Sequence, residues 1–520
     1  MAVAVWQDLC AVAPSPELRE RLREEIQQLR ADADSPLLRQ LTTPPRPRWP
    51  GFDDGTIIPP DRFPLGTSSR TIAHAAAERS PLRGKVRVVV VLADFADRPV
   101  NQTPQHFEDL FFSTGKLPRG SVAEYFREVS GGLIDLVGEV VGPLRLPQKL
   151  SWYANENFGI GRPSGTPRAH LMARDAAKAA DRTVDFGPYD NDGNGFVDAF
   201  VVVHAGRGGE ATGEPGDIWS HKWVLPEEYA ADGTRIFAYL TIPEDARIGV
   251  SAHELGHLLF GLPDLYDIDD TSEGVGNWCL MGGGSWNGGG DLPAHPSAWC
   301  KLQQGWVEVV DVATAGTLTF QDVKAGRTVH RLWRDGARGP EYFLVENRQQ
   351  TGYDELLPGG GLVVWHVDDD QQNNADENHY LVGLVQADGR RDLERSRNRG
   401  DAGDCYPGTS ANTALTPTST PSTRSYAGQD TAVSISQISA AGATMTATVS
   451  VSPATSPAAY VPQDEQAAVP APRTNGEVTT AQPRHERPGP ISGFFKTKDE
   501  RWLLLLPRTL ECFTQLMIAL

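Results

Sequence analysis

SAHELGHLLFG, residues 251–261, is the stretch that decides how this chain is read. Within an apolar run it sets His253, Glu254 and His257 in the order His-Glu-x-x-His. On a helix, positions i and i+4 share one face, so both imidazoles reach one Zn²⁺ at about 2.0–2.1 Å. Glu254 then stands beside them, placed to take a proton from an attacking water. Zinc lowers the pKa of water to about 7, which makes a nucleophile for a peptide carbonyl available at neutral pH. The same five residues also arise as two surface histidines on an ordinary helix, so the context decides. Gly261 closes the helix, and LPDLYD (262–267) turns Asp264 and Asp267 back toward the metal as third-ligand candidates, with Glu273 more remote. Further on, GNWCLMGGGSWNGGG (276–290) sets Met281 in a glycine-rich turn, as expected of a residue that floors a zinc site. No GxSxG elbow and no GxxxxGK[ST] loop occurs, so serine-hydrolase and P-loop chemistry have no support.

Outward from the motif, VRVVVVLADF (86–95) is a continuous β-branched run, the pattern of a strand buried on both faces of a sheet. Helical patterns at 104–113, 121–130 and 168–181 and a strand FVDAFVVVHAG (196–206) complete an α/β alternation up to about residue 305. From 306 to 452 the pattern becomes short β runs (GTLTFQDV, EYFLVENR, GLVVWHVD, YLVGLVQA, AVSISQIS, TMTATVSV), which predicts an all-β, sandwich-like domain. Residues 1–84 differ from both. Leu18, Leu22, Ile26 and Leu29 recur at helical spacing, and the proline-rich strip 42–64 with Asp53 and Asp54 is neither helix nor central sheet. Residues 453–490 hold 8 prolines in 38 positions and read as disordered linker, ahead of the apolar end RWLLLLPRTLECFTQLMIAL.

The length, 520 residues, exceeds one ordinary core, and 48 basic against 67 acidic residues leave a net charge of −19. That charge disfavours nucleic acid or an anionic membrane as partner. No apolar run is long enough to span a membrane, and the first sixteen residues lack the basic start of a secretory signal. Five scattered cysteines contain no CxxC pair; Cys279 and Cys300 either pair in an oxidising compartment or remain buried thiols.

Asp190, Asp192, Asn194 and Asp198 form D-x-D-x-N-G-x-x-D, whose alternate oxygens and sharp glycine turn suit calcium. The twelfth position holds Val201 rather than a bidentate Glu, so this is not a complete EF-hand loop, and an Asx-rich turn is the alternative. Asp368–Asp370, Asp401 and Asp404 read equally well as solvated loops, and His204, His221, His295 and His366 as structural histidines.

HELGHLLFGLPDLYD, GVGNWCLMGGGSWNG and HPSAWCKLQQGWV, taken together, resemble the M6 metallopeptidases, the immune inhibitor A-like group. Flanking blocks at 121–142, 204–223 and 341–369 follow in the family's order, and the resemblance covers roughly residues 85–450. It implies an α/β (α+β) metzincin-like zinc-protease domain (85–305), a β-sandwich-like domain behind it (306–452), a helical and extended pro-segment (1–84) and a tail (453–520). It further implies His253, His257 and Asp264 as zinc ligands, Glu254 as general base, Met281 as the Met-turn residue, and an exported protein. One departure is local: Gly261 follows His257 by four residues rather than three, so the third ligand arrives one residue late, a rotation of about 100° on a helix. A bulge in the last turn is the expected remedy. The other is the absent export signal. The resulting expectation is a zinc endopeptidase of protein or peptide substrates, made as a latent precursor. The competitor is an inactive protease-like protein that binds carbohydrate or cell surfaces, and an intact Glu254 argues against it.

Overall fold

A computed structural model describes residues 10–32, 62–64, 67, 80–162 and 165–452. It begins with a two-residue strand, Cys10–Ala11 (β1), and a helix, Pro16–Asp32 (α1). Strand Gly84–Asp94 (β2), helices Pro104–Phe112 (α2) and Val122–Ser130 (α3), strand Ile134–Arg145 (β3) and helix Ala169–Ala180 (α4) follow. Then come strand Phe200–His204 (β4), the hairpin His221–Ala231 (β5) and Thr234–Pro243 (β6), and helix Ile248–Phe260 (α5). The strands form one sheet in the order β1-β5-β6-β4-β2-β3. β2 pairs in parallel with both β3 and β4, and β4 with β6; β5 and β1 add antiparallel at the far edge. A central parallel strand is covered on both faces by crossover helices, and for that reason Val88–Ala93 are fully buried. Helix starts are set by their caps: Thr103 accepts from the His106 N–H and Ser121 from the Glu124 N–H. The strand expected at 196–206 is shorter than its pattern, because Phe196 makes only an isolated bridge to Arg235.

Helix Ala298–Gln303 (α6) leads into the β-rich part: strands Glu308–Asp311 (β7), Gly316–Gln321 (β8), Thr328–Leu332 (β9), Glu341–Arg348 (β10), Gly361–Asp368 (β11), Val382–Leu384 (β12), Ser434–Ser436 (β13) and Thr444–Ser450 (β14). They form a five-stranded sheet, β12-β11-β10-β9-β7, and a three-stranded one, β13-β14-β8. Period-two alternation gives the larger sheet two different cores. Phe343, Val345, Leu362 and Val364 pack with Phe320, Ile435, Met445 and Val449 of the smaller sheet. Tyr342, Leu344, Val363 and Trp365, one residue out of phase, join the main core that also holds β2, α3 and α5. The described residues thus belong to one compact unit, and packing continues across residue 305.

Residues 10–25 also pack. Leu18 and Leu22 are buried in the main core, although the first core strand was expected only at residue 85. The side chains of Ile26 and Leu29, most of the strip 42–64 and the tail 453–520 lie outside the described residues.

Candidate active site

All thirteen residues of α5 are buried, which an apolar helix without a polar face requires. It runs unbroken to Phe260, where Gly261 takes a left-handed conformation (φ +60°) that a side chain would strain. The Gly261 N–H donates to His257 O (2.9 Å) and the Leu262 N–H reaches back to Gly256 O (3.2 Å). These bonds make an ordinary left-handed glycine cap, and the expected bulge does not form.

The chain then returns over the helix and brings Asp264 to both histidines. His253 Nε2 and His257 Nε2 lie 3.0 Å apart, and Asp264 Oδ1 is 3.1 and 3.3 Å from them. All three side chains are buried. His253 Nδ1 faces Leu280 O (2.9 Å) and His257 Nδ1 faces Leu262 O (2.6 Å). A carbonyl only accepts, so each Nδ1 carries the hydrogen and each Nε2 presents a lone pair. Three acceptor atoms therefore converge on one point, which electrostatics tolerates only around a cation or a proton. Four donors placed tetrahedrally about 2.0–2.1 Å from zinc are about 3.3 Å apart, so the residues fit the ion. Glu254 is fully buried next to His253 on the same helix.

Met281 lies against this helix. A Cβ on Gly256 would stand 2.8 Å from the Met281 sulfur, so the residue between the two histidines has to be glycine for the thioether to sit there. The Leu280–Met281 turn also binds the returning chain, since the Leu265 N–H donates to Met281 O (2.7 Å).

The remaining sequence candidates go elsewhere. Asp267 turns into its own loop, accepting from the Asp269 N–H (3.0 Å) and the Ser272 N–H (2.8 Å). Glu273 is held by Arg19 (2.6 Å) and Arg23 of α1. His221 bonds Tyr239 Oη (2.9 Å), His295 bonds Glu128 (2.9 Å), His366 bonds Glu341 (2.9 Å), and His204 faces Ala205 O (3.1 Å). Cys279 and Cys300 are both free thiols. Ligand atoms of Asp190, Asp192 and Asp198 converge, while the Asn194 side chain accepts from the Phe196 N–H (2.9 Å), a local turn contact. Asp401 converges with Asp388 and Asp392.

Two features went unread in the sequence. Arg348, fully buried on β10, donates to Trp278 O (2.5 Å) and to Asp354 (3.0 Å), so the second sheet buttresses the turn that carries Met281. Its signal was available: Glu346 and Arg348 are charged residues on the face of EYFLVENR shared with Tyr342 and Leu344. The second is the N-terminal segment. β1 pairs with His221–Lys222 of the edge strand, Tyr266 Oη donates to Ala11 O (2.6 Å), and the Trp219 and Trp286 indoles donate to Val12 O (2.7 Å) and Ala13 O (3.1 Å). Arg19 then buries its guanidinium against Glu273, Asp270 (2.8 Å) and Ser272 O (2.8 Å).

Residues 87–308 match the family model described as Immune inhibitor A peptidase M6, catalytic domain. The chain is 32% identical over 302 residues to Immune inhibitor A of Bacillus thuringiensis subsp. alesti, covering 46% of this chain and 44% of that protein. It is 30% identical over 272 residues to the Pre-pro-metalloprotease PrtV of Vibrio cholerae serotype O1 (strain M66-2), covering 41% of this chain and 29% of that protein. It therefore spans less than half the length of these curated relatives. Residues 87–308 are thus similar to the catalytic domain of the M6 metallopeptidases, a similarity that implies a metal, typically zinc.

Proposed function

We propose that this chain is an M6-type, zinc-dependent endopeptidase of protein or peptide substrates, built on a metzincin-like domain (85–305) and made as a latent precursor. The observation that carries the reading is the convergence of His253 Nε2, His257 Nε2 and Asp264 Oδ1 within 3.0–3.3 Å in a buried site. These three residues would hold the ion, whose chemistry is that of a Lewis acid that acidifies water and polarises the scissile carbonyl. Glu254 takes the proton of the attacking water and passes it to the leaving amine. The carbonyls of Leu280 and Leu262 keep both imidazoles in the ligating tautomer, and Met281 floors the site. The β-rich region 306–452 buttresses it through Arg348.

Latency is supported by the segment 11–13, which is anchored on both flanks of the site, to Tyr266 two residues after Asp264 and to Trp286 five after Met281. There it runs along the edge strand as an extended peptide does in β-augmentation. Calcium at Asp190, Asp192, Asn194 and Asp198 would stabilise the approach to β4 without entering the chemistry. An extracellular location follows from the family resemblance.

Zinc content and casein hydrolysis of the chain lacking residues 1–84 test the reading. Glu254→Gln should keep zinc and lose nearly all turnover, while Asp264→Ala should lose zinc. Zinc binding without hydrolysis by the chain lacking residues 1–84 would favour the inactive, surface-binding alternative. Turnover by Glu254→Gln within a few-fold of the parent would remove Glu254 as base.

A further inference from the structure

We propose that the loop Asp267–Glu273 holds a calcium ion between the carboxylates of Asp267 and Asp269, with the Thr271 hydroxyl as a further oxygen ligand. The argument is a count of hydrogens. Asp267 and Asp269 are 1% and 2% exposed. Asp267 Oδ1 accepts from the Asp269 N–H and Oδ2 from the Ser272 N–H (2.8 Å); Asp269 Oδ1 accepts from the Thr271 N–H (3.2 Å). Thr271 Oγ1 lies 3.0 Å from Asp267 Oδ2 and 2.7 Å from Asp269 Oδ1, yet a hydroxyl carries one hydrogen and satisfies one of the two. Asp269 Oδ2 is buried and has no hydrogen-bond donor at all.

Nor does a side-chain cation make up the deficit. The buried guanidinium nearby, that of Arg19, pairs with Asp270 and Glu273 and attracts Asp267 only more weakly and without an ion-pair contact, and Arg23 pairs with Glu273. Among the described residues no ion pair reaches Asp267 or Asp269. Two buried carboxylates in mutual contact are tolerated only if a cation or a shared proton lies between them. Burial, with Asp269 alongside, raises the Asp267 carboxyl, as an incomplete site demands.

The donor set selects the ion. Carboxylates at alternate residues 267 and 269 and a hydroxyl at 271 make a flexible, all-oxygen shell, which suits calcium better than the strict octahedron of magnesium or the nitrogen and sulfur preferences of zinc. The position gives it a task. The loop leaves Asp264, binds the Leu280–Met281 turn through Leu265, and returns through the Val275 N–H to Leu265 O (3.0 Å). An ion at 267–271 would fix the loop that presents Asp264. The site is separate from residues 190–198 and does not depend on the peptidase reading.

Calcium uptake by the full chain, measured by equilibrium dialysis, tests the proposal. Asp269→Asn should bind one equivalent fewer than the parent, and the same loss should appear when both are compared in an Asp192→Ala background. Asp267→Asn should lose the same equivalent, which keeps the test alive if Asp269→Asn does not fold. Unchanged stoichiometry in the Asn variants overturns the site. So does an infrared band of a buried protonated carboxyl, present in the wild-type chain at neutral pH, unmoved by saturating calcium and absent from Asp267→Asn, because a shared proton would then hold the pair.

Discussion

Replacing Arg19 by methionine should loosen the N-terminal segment and raise the activity of the uncut chain. The Arg19 side chain is 7% exposed and contacts Glu273, Asp270 and Ser272 O at 2.6–2.8 Å. Breaking a buried ion pair by removing one partner typically costs about 3–5 kcal/mol, because a charge is left buried alone. Here the loss is smaller. Arg23, itself part-exposed, stays on Glu273, and Asp270 is exposed enough to be rehydrated. About 2–3 kcal/mol is the reasonable share, which at about 1.4 kcal/mol per decade shifts the docked-to-undocked ratio about 30- to 150-fold. Methionine keeps most of the apolar stem, so Leu18 and Leu22 retain their packing. Turnover of a quenched fluorescent peptide by Arg19→Met should rise by that factor, up to the ceiling set by the chain lacking residues 1–84. Intact mass confirms that the assayed protein is uncut. An uncut, folded variant within twofold of the parent, beside a truncated chain that is much more active, would show that this ion cluster does not hold the segment. If truncation activates nothing, the segment is not inhibitory at all.

Asp192→Ala should remove one equivalent of calcium together with its share of the calcium-induced rise in melting temperature, worth about 2.7 kcal/mol at a hundredfold excess over Kd; an unchanged equivalent would place that ion outside residues 190–198. Glu210 offers a pH test. Burial, opposed by bonds from Ser220, pushes its carboxyl from 4.5 up to about 7. The folded chain holds this proton more tightly than the unfolded one, so the stabilisation is complete below about pH 4.5 and is lost as pH rises toward 7, up to roughly 3 kcal/mol. Glu210→Gln cannot ionise, so its melting-temperature advantage should grow between pH 5 and 7 and then level off. A constant difference across that range would refute the assignment.

What lies within a few residues along the chain was legible without any structure. His253 and His257 share a face because helical geometry puts i and i+4 together, and Val88–Ala93 within VRVVVVLADF declare a doubly covered strand because only such a strand is apolar at successive positions. The hairpin β5–β6 has an equally local signal in Asp232-Gly233, both at positive φ. The choice between Asp264 and Asp267 was legible only through family resemblance, not through helical geometry. It depends on the path of the chain beyond the Gly261 cap, since the Leu262-to-Gly256 bond fixes only the first step past the helix. The tertiary structure alone decided that β10 serves two cores, that Arg348 reaches the Met281 turn, and that α1 locks onto the loop after Asp264. Arg19 and Glu273 are 254 residues apart. Helical and strand periodicities report which way a side chain faces relative to its neighbours, whereas a buried ion pair is specified by where two distant segments meet, and that follows only when the whole core is packed.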